Sequence, residues 1–214
     1  PVKNKVISKS AFNLVVQSEP FVNSAGQRIE TTNAIPYYGK HNSVEKIVSE
    51  YQAAAQVHVQ KVIGHLPASM VRRFSPSGES ALGNMIADAM RDAVIDKGYT
   101  IALANSGGIR ASLDAGEVTL GEIMTILPFQ NTLSTFKVTG QQLLTAIENG
   151  VSQVEDEKGR FPQVSGMRYT FNLAKPPNEG RVTSIEIDED GSWNALDLNK
   201  TYGMVSNNFI YHLD

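Results

Sequence analysis

Apolar positions along this chain recur in two spacings, steps of three and four in some stretches and steps of two in others. The longest helical stretch begins at Ser43, a good N-cap, with Glu45 in its first turn, and Gly64 followed by Pro67 sets its end. Ile47, Tyr51, Ala54, Ala55, His58 and Val62 share one face, but Ala53-Ala54-Ala55 leaves only a small-residue stripe, suited to close packing or to bridging two bodies. His58 on that face reads as a packed, hydrogen-bonded histidine rather than a ligand. A second helix begins near Glu79-Ser80, turns Leu82, Met85, Ile86, Ala89, Met90, Ala93 and Val94 inward and Asp88, Arg91, Asp92 and Asp96 to water, and stops at Gly98. It runs into Tyr99 to Leu103, a short apolar segment that reads as a buried strand. Thr119 caps a helix from Leu120 to Ile126, ended by Pro128, which disfavours helix in the residue before it. Leu133 to Val138 alternates as a strand, and Gln141 to Asn149 is a helix ended by Gly150. Met167 to Asn172, Val182 to Ile187 and Tyr202 to Asn207 are strands, with a hairpin turn at Asp188 to Gly191 anchored by Trp193. Ahead of all this, Ala11 to Val16 and Gly26 to Glu30 read as short strands around a turn at Asn23 to Gly26, followed by a polar connector from Pro36 to Asn42. The pattern predicts an α/β or α+β domain from about Leu66 onward, entered through the long helix.

Composition narrows the chemistry. A chain of 214 residues fits one large domain or a domain with an appendage, and 41% hydrophobic residues supply its core. A net charge of −3 gives no bulk attraction for nucleic acid, and no apolar run approaches a membrane span. With no cysteine there is no disulfide, no thiolate metal site and no cysteine nucleophile. The opening Pro-Val-Lys-Asn-Lys carries neither an initiator Met nor a signal-peptide pattern, so the chain reads as a piece of something longer.

Catalytic clusters are scarce. His41, His58, His65 and His212 fall in no metal-ligand spacing, Asp88 and Asp92 read as a solvated helix face, and no Gly-x-Ser-x-Gly elbow occurs. Hydrolysis by these residues alone is not expected. Binding has better support. In Ala104-Asn105-Ser106-Gly107-Gly108-Ile109-Arg110 a strand runs into a glycine turn that can aim N–H groups at an anion, and Arg110 adds a planar cationic fork. A plain tight turn is the simpler reading of those glycines. Phe129, beside Gln130 and Asn131, and Phe209, after Asn207-Asn208, are aromatic rings next to amides, a combination suited to a planar base. On pattern alone both phenylalanines read more simply as core, as Phe136, Phe161 and Phe171 do.

Four motifs then fall in order: Gly78-Glu79-Ser80-Ala81-Leu82-Gly83-Asn84, Asn105-Ser106-Gly107-Gly108-Ile109-Arg110, Leu127-Pro128-Phe129-Gln130-Asn131-Thr132-Leu133 and Gly159-Arg160-Phe161-Pro162-Gln163-Val164-Ser165-Gly166. Together, over roughly Leu66 to Phe209, they resemble the C-terminal domain of the 5'-nucleotidase family, which includes bacterial UDP-sugar hydrolases. The resemblance implies a mixed sheet flanked by helices, with residues 43–65 as an interdomain helix, 66–214 as a nucleotide-binding domain, and 1–42 as the end of a preceding metallophosphoesterase domain. It implies a nucleotide or nucleoside ligand, no cofactor on these residues, and two divalent metal ions in the metallophosphoesterase domain that does the hydrolysis. It implies a periplasmic or extracellular protein. Carried over residue by residue, Phe129 and Phe209 flank the base, Asn105 and Asn131 contact the base or ribose, and Arg110 holds phosphate above Gly107 and Gly108. Two departures stand out. Gly78 occupies a position where many members have arginine, with Arg72 or Arg73 as possible replacements, and Ile210-Tyr211-His212-Leu213-Asp214 follows Phe209 where members carry a ribose-binding Gly-Gly-Asp-Gly. A stand-alone nucleotide-binding module, a cyclic phosphodiesterase/3'-nucleotidase and a dinucleotide pyrophosphatase remain open alternatives, because stacking tolerates any base.

Overall fold

A computed structural model describes residues 21–22, 28–29, 42–72 and 78–211. The expected strand at Ala11 to Val16, the turn at Asn23 to Gly26, the connector before Asn42, and Arg73, His41, His212 and Asp214 lie outside the described residues. The chain divides into two compact units, Pro1–Ala54 and Ala55–Asp214. Of the first, the described part holds two short antiparallel strands, β1 (Phe21–Val22) and β2 (Arg28–Ile29), and most of helix α1 (Asn42–Val59). Ile47 and Tyr51 on α1 are exposed.

In the second unit the helix ends at Val59, earlier than Gly64, because Val62–Leu66 becomes strand β3, paired antiparallel with β5 (Gly116–Thr119). The β-branched pair Val62-Ile63 favours that extended partner over a further helical turn. His58, expected to be packed, is exposed in the last turn, where an imidazole beside the carbonyl end of a helix needs no further partner.

The central sheet has four strands in the order β6-β11-β4-β7, namely β6 (Leu133–Thr139), β11 (Thr201–Asn207), β4 (Ile101–Asn105) and β7 (Pro162–Ser165). β11 runs parallel to β4 and antiparallel to β6, and β7 is antiparallel to β4, so the sheet is mixed. Alternation along the strands divides the core. Ile101, Leu103, Tyr202 and Met204 pack with Leu143 and Ile147 of α4 (Gly140–Gly150) and with Ile185 and Ile187 of β9 (Val182–Glu189). On the other face Ala102 and Val205 meet Ala87 of α2 (Ala81–Asp92) and Val94. Both faces are covered, which is why Ile101 to Ala104 is a continuous apolar run. A second, antiparallel sheet in the order β10-β9-β8 adds β8 (Met167–Phe171) and β10 (Ser192–Ala195).

The helices carry their own signals. Ser80 caps α2, its Oγ accepting from Gly83 N at 2.9 Å. Ala87 rather than Ala89 is buried, since a small residue there lets α2 lie close on Ala102 and Val205. Arg91, expected in water, donates to Thr100 O at 2.8 Å and pairs with Asp188 at 3.2 Å, fastening α2 to the β9–β10 hairpin. α3 (Leu120–Ile126) and α4 open on capping boxes, Thr119 with Glu122 and Thr139 with Gln142.

Register then aligns one edge of the central sheet. Leu133 at the start of β6 lies opposite Asn207 at the end of β11. Asn105 at the end of β4 lies opposite Pro162 at the start of β7. Asn207 Nδ2 donates to Asn105 Oδ1 at 2.9 Å, closing the row. This edge includes the carboxyl ends of the two parallel strands, where open α/β sheets place ligands.

Candidate ligand-binding site

Every segment singled out in the sequence for binding hangs from that edge. The turn after β4, Ser106 to Gly108, is a single 3-10 turn, and Gly107 N donates to Gly159 O at 2.8 Å. A Cβ on Gly107 would lie 3.0 Å from Gly159 Cα, and one on Gly159 would lie 2.8 Å from Gly107 Cα. These two backbones touch because neither carries a side chain. Beneath them Gln163 is buried and joins two segments through three bonds: its Nε2 donates to Gly78 O and to Ser106 Oγ, both at 2.9 Å, and its Oε1 accepts from Ser80 N at 3.3 Å. Ser106 Oγ in turn donates to Phe161 O at 2.8 Å.

The loop between α3 and β6 holds Phe129 and Asn131 on either side of Gln130, whose φ of 51° is rare for a side chain of that kind. Reciprocal bonds pin this loop to the residue before Phe209, with Thr132 N donating to Asn208 Oδ1 and Asn208 N donating to Thr132 O, each at 2.9 Å. That pair joins two phenylalanine-bearing segments far apart in sequence. Phe129 is 57% exposed and Phe209 53% exposed, so neither is a core residue, whereas Phe161 is buried and Phe136 and Phe171 pack against the core.

A cavity of about 820 Å³ opens between these segments. Asn105, Gly107, Gly108, Phe129, Asn131 and Phe209 all line it. Its remaining wall comes from Leu103 and Met204 on the sheet, from Ala146, Asn149 and Gly150 on α4, and from Gln153, Lys158 and Arg160 beyond. A smaller hollow of about 150 Å³, towards Ile86 and Met90 of α2, shares Asn105, Gly108, Phe129 and Asn131. Asn105 is oriented by Asn207, whose amide occupies its Oδ1.

Arg110 is exposed and stands beside the large cavity rather than in its lining. Its guanidinium lies 5.8 Å from the centroid of the Phe129 ring, within cation–π reach, and its Nη1 donates to Gly107 O at 3.2 Å. Arg72 comes to the same place, its Nη1 donating to Arg110 O at 3.4 Å and its N to Ser112 Oγ at 2.9 Å. Gly78, the other departure, has φ 83°, and a Cβ there would fall 2.3 Å from the Phe161 ring. An arginine does not fit at position 78 while Phe161 keeps its place. No group of three or more potential metal ligands occurs among the described residues.

Lys158 and Arg160 were not anticipated as cavity residues. The motif that contains Arg160 was visible in the sequence, but nothing local says on which side of the sheet edge its loop falls. Fold and cavity together define an α+β domain with a preformed cleft of small-molecule size. Residues 62–213 match the family described as 5'-nucleotidase, C-terminal domain. The chain belongs to this family. It is 44% identical over 134 residues to a trifunctional nucleotide phosphoesterase of Bacillus subtilis, covering 62% of this chain and 9% of that protein. Among solved structures, a 5'-nucleotidase precursor from Thermus thermophilus superposes with a TM-score of 0.73 at 40% identity, covering 79% of this chain and 34% of that one. The NAD nucleotidase of Haemophilus influenzae superposes with a TM-score of 0.60 at 25% identity, covering 89% and 38%.

Proposed function

We propose that this chain is the substrate-recognition domain of a 5'-nucleotidase-type phosphoric ester hydrolase. In this reading Phe129 and Phe209 hold a nucleobase between their faces, and the amides of Asn105 and Asn131 contact the base or ribose. Arg110, over the Gly107-Gly108 turn, draws the phosphate to the cavity mouth, with Arg72 beside it. A charge-assisted guanidinium contact to phosphate is the strong kind of polar contact available here. Hydrolysis is assigned to a two-metal phosphoesterase domain of the same polypeptide, in which the metals would supply the attacking hydroxide. Secretion to the periplasm or the exterior goes with this reading. No helix among the described residues is long and apolar enough to cross a membrane.

The observation that carries the proposal is a pair of half-exposed phenylalanines, locked to one another's loops by Thr132 and Asn208, on the wall of a cavity with two asparagines. Dinucleotide specificity is a second reading, favoured by a cavity near the large end of the roughly 300–1,000 Å³ range of small-molecule sites. Calorimetric titration with adenosine and AMP tests the assignment. Phe129→Ala should weaken both by about 10- to 100-fold, the loss of one stacking face. Arg110→Gln should weaken AMP about tenfold and leave adenosine unchanged. Binding of adenosine that is indifferent to Phe129→Ala would sink the stacking assignment.

A further inference from the structure

The cavity has a second cationic wall. Lys158 and Arg160 flank Gly159, and Gly159 is clamped to the Gly107 backbone by a 2.8 Å hydrogen bond and by an approach too close for a Cβ on either glycine. The clamp holds both cations in the lining of the large cavity, which the exposed Arg110 beside Phe129 does not enter. Arg160 is tethered only by neutral groups, its Nη1 lying 3.4 Å from Asn149 Oδ1 and 3.4 Å from Ser152 Oγ. Among the described residues neither Lys158 nor Arg160 forms an ion pair, while Arg91, Arg168, Arg181 and Lys200 all do.

Among the described residues no carboxylate lines the cavity, although the chain as a whole carries a net charge of −3. Three acids precede Lys158 in the chain. Glu155 is committed to Arg181 at 2.8 Å, and Asp156 and Glu157 are exposed outside the lining. A cleft that gathers uncompensated positive charge against the sign of the molecule is arranged for an anion. Its size leaves room for more than a nucleoside: about 820 Å³ is near the top of the range for small-molecule sites.

We infer that Lys158 and Arg160 form a second phosphoryl-binding subsite, so that this cavity selects nucleotides bearing a phosphoryl group beyond the one at Arg110. The inference rests on the nucleoside reading above. The extra group can sit on the sugar or further along the 5' chain, and the same pair of cations would meet either.

The test is calorimetry on the full chain with four probes: adenosine, AMP, ADP and adenosine 3',5'-bisphosphate. The wild-type chain should bind ADP or the bisphosphate about tenfold or more tightly than AMP, as a charge-assisted contact to a guanidinium predicts. Whichever of the two gains the affinity identifies where the extra phosphoryl group lies. Lys158→Gln with Arg160→Gln should abolish that gain and leave adenosine within about twofold, since stacking does not depend on these charges. Equal affinity for AMP, ADP and the bisphosphate overturns the subsite while leaving the nucleoside site intact. A gain that survives the double substitution overturns it as well. Saturable binding of none of the four overturns both readings together.

Discussion

Gln163 shows how much a single side chain does here: one buried amide serves the turn after β4, the cap of α2 and the strand β7. Gly83 makes room for it, since a Cβ there would lie 2.4 Å from the amide carbon. Gln163→Met keeps the volume and removes the bonds, leaving Gly78 O and Ser80 N buried without that partner. At roughly 1–3 kcal/mol per unsatisfied group, the variant should lose about 2–4 kcal/mol in a urea unfolding titration. Adenosine affinity should fall with it, because Ser106 opens the turn that shapes the cavity. Gly78 makes the complementary point. Its absent side chain reads in the sequence as the loss of a functional arginine, and in the structure as the space filled by Phe161.

Among the elements, the helices announce themselves and the cavity loops do not. The capping boxes of α3 and α4 are written in Thr119–Glu122 and Thr139–Gln142, local four-residue signals. The loop after α4 is organised instead by a distant residue. Arg181, at the head of β9 and only 2% exposed, donates to Val151 O at 2.9 Å, to Lys175 O at 3.1 Å and through two bonds to Glu155. Glu148 reaches back to the N–H groups of Arg181 and Val182, at 3.1 and 2.8 Å. Arg181→Met should cost about 2–4 kcal/mol, mostly from buried bonds, because the half-exposed Glu155 end is screened by water. Hydrogen exchange should report the damage first in residues 151–160, the segment that brings Lys158 and Arg160 to the cavity.

For the molecule as a whole, pH dependence should come from a few anchored carboxylates. The Thr119 N–H, followed by its hydroxyl, holds Glu122 below the usual carboxylate range. Arg181 does the same for Glu155, and Arg168 for Glu186, each chiefly by hydrogen bonding. A carboxyl whose folded pKa lies below its unfolded value of 4.5 contributes stability that is complete above 4.5 and lost as pH falls through the lower, folded value. Burial pushes the Tyr169 phenol up, so it stays neutral and keeps donating to Pro162 O at 2.8 Å. Melting temperature should therefore be nearly level from about pH 8 to 5.5 and drop below about pH 4. A steep loss between pH 7 and 6 would show that other groups control acid stability.

What the sequence determined by itself was local or carried by motifs in order. Helix α3, strands β6, β8, β9 and β11 and the family all follow from periodicity, caps and four ordered motifs, whereas α2 ends at Asp92, short of the expected stop at Gly98, which in its αL conformation closes a separate 3-10 turn over Ile95–Lys97. Strands β3, β5 and β7 were not legible, because each is short and all three contain or begin with Gly or Pro, so that pairing rather than pattern makes them strands. Nor can residue type alone say whether a phenylalanine fills a core or walls a cavity. That was decided when strand register set Leu133, Asn207, Asn105 and Pro162 along one edge. Contacts between residues a hundred positions apart carry no local signature, and they alone bring Phe129, Phe209, Lys158 and Arg160 around a single space.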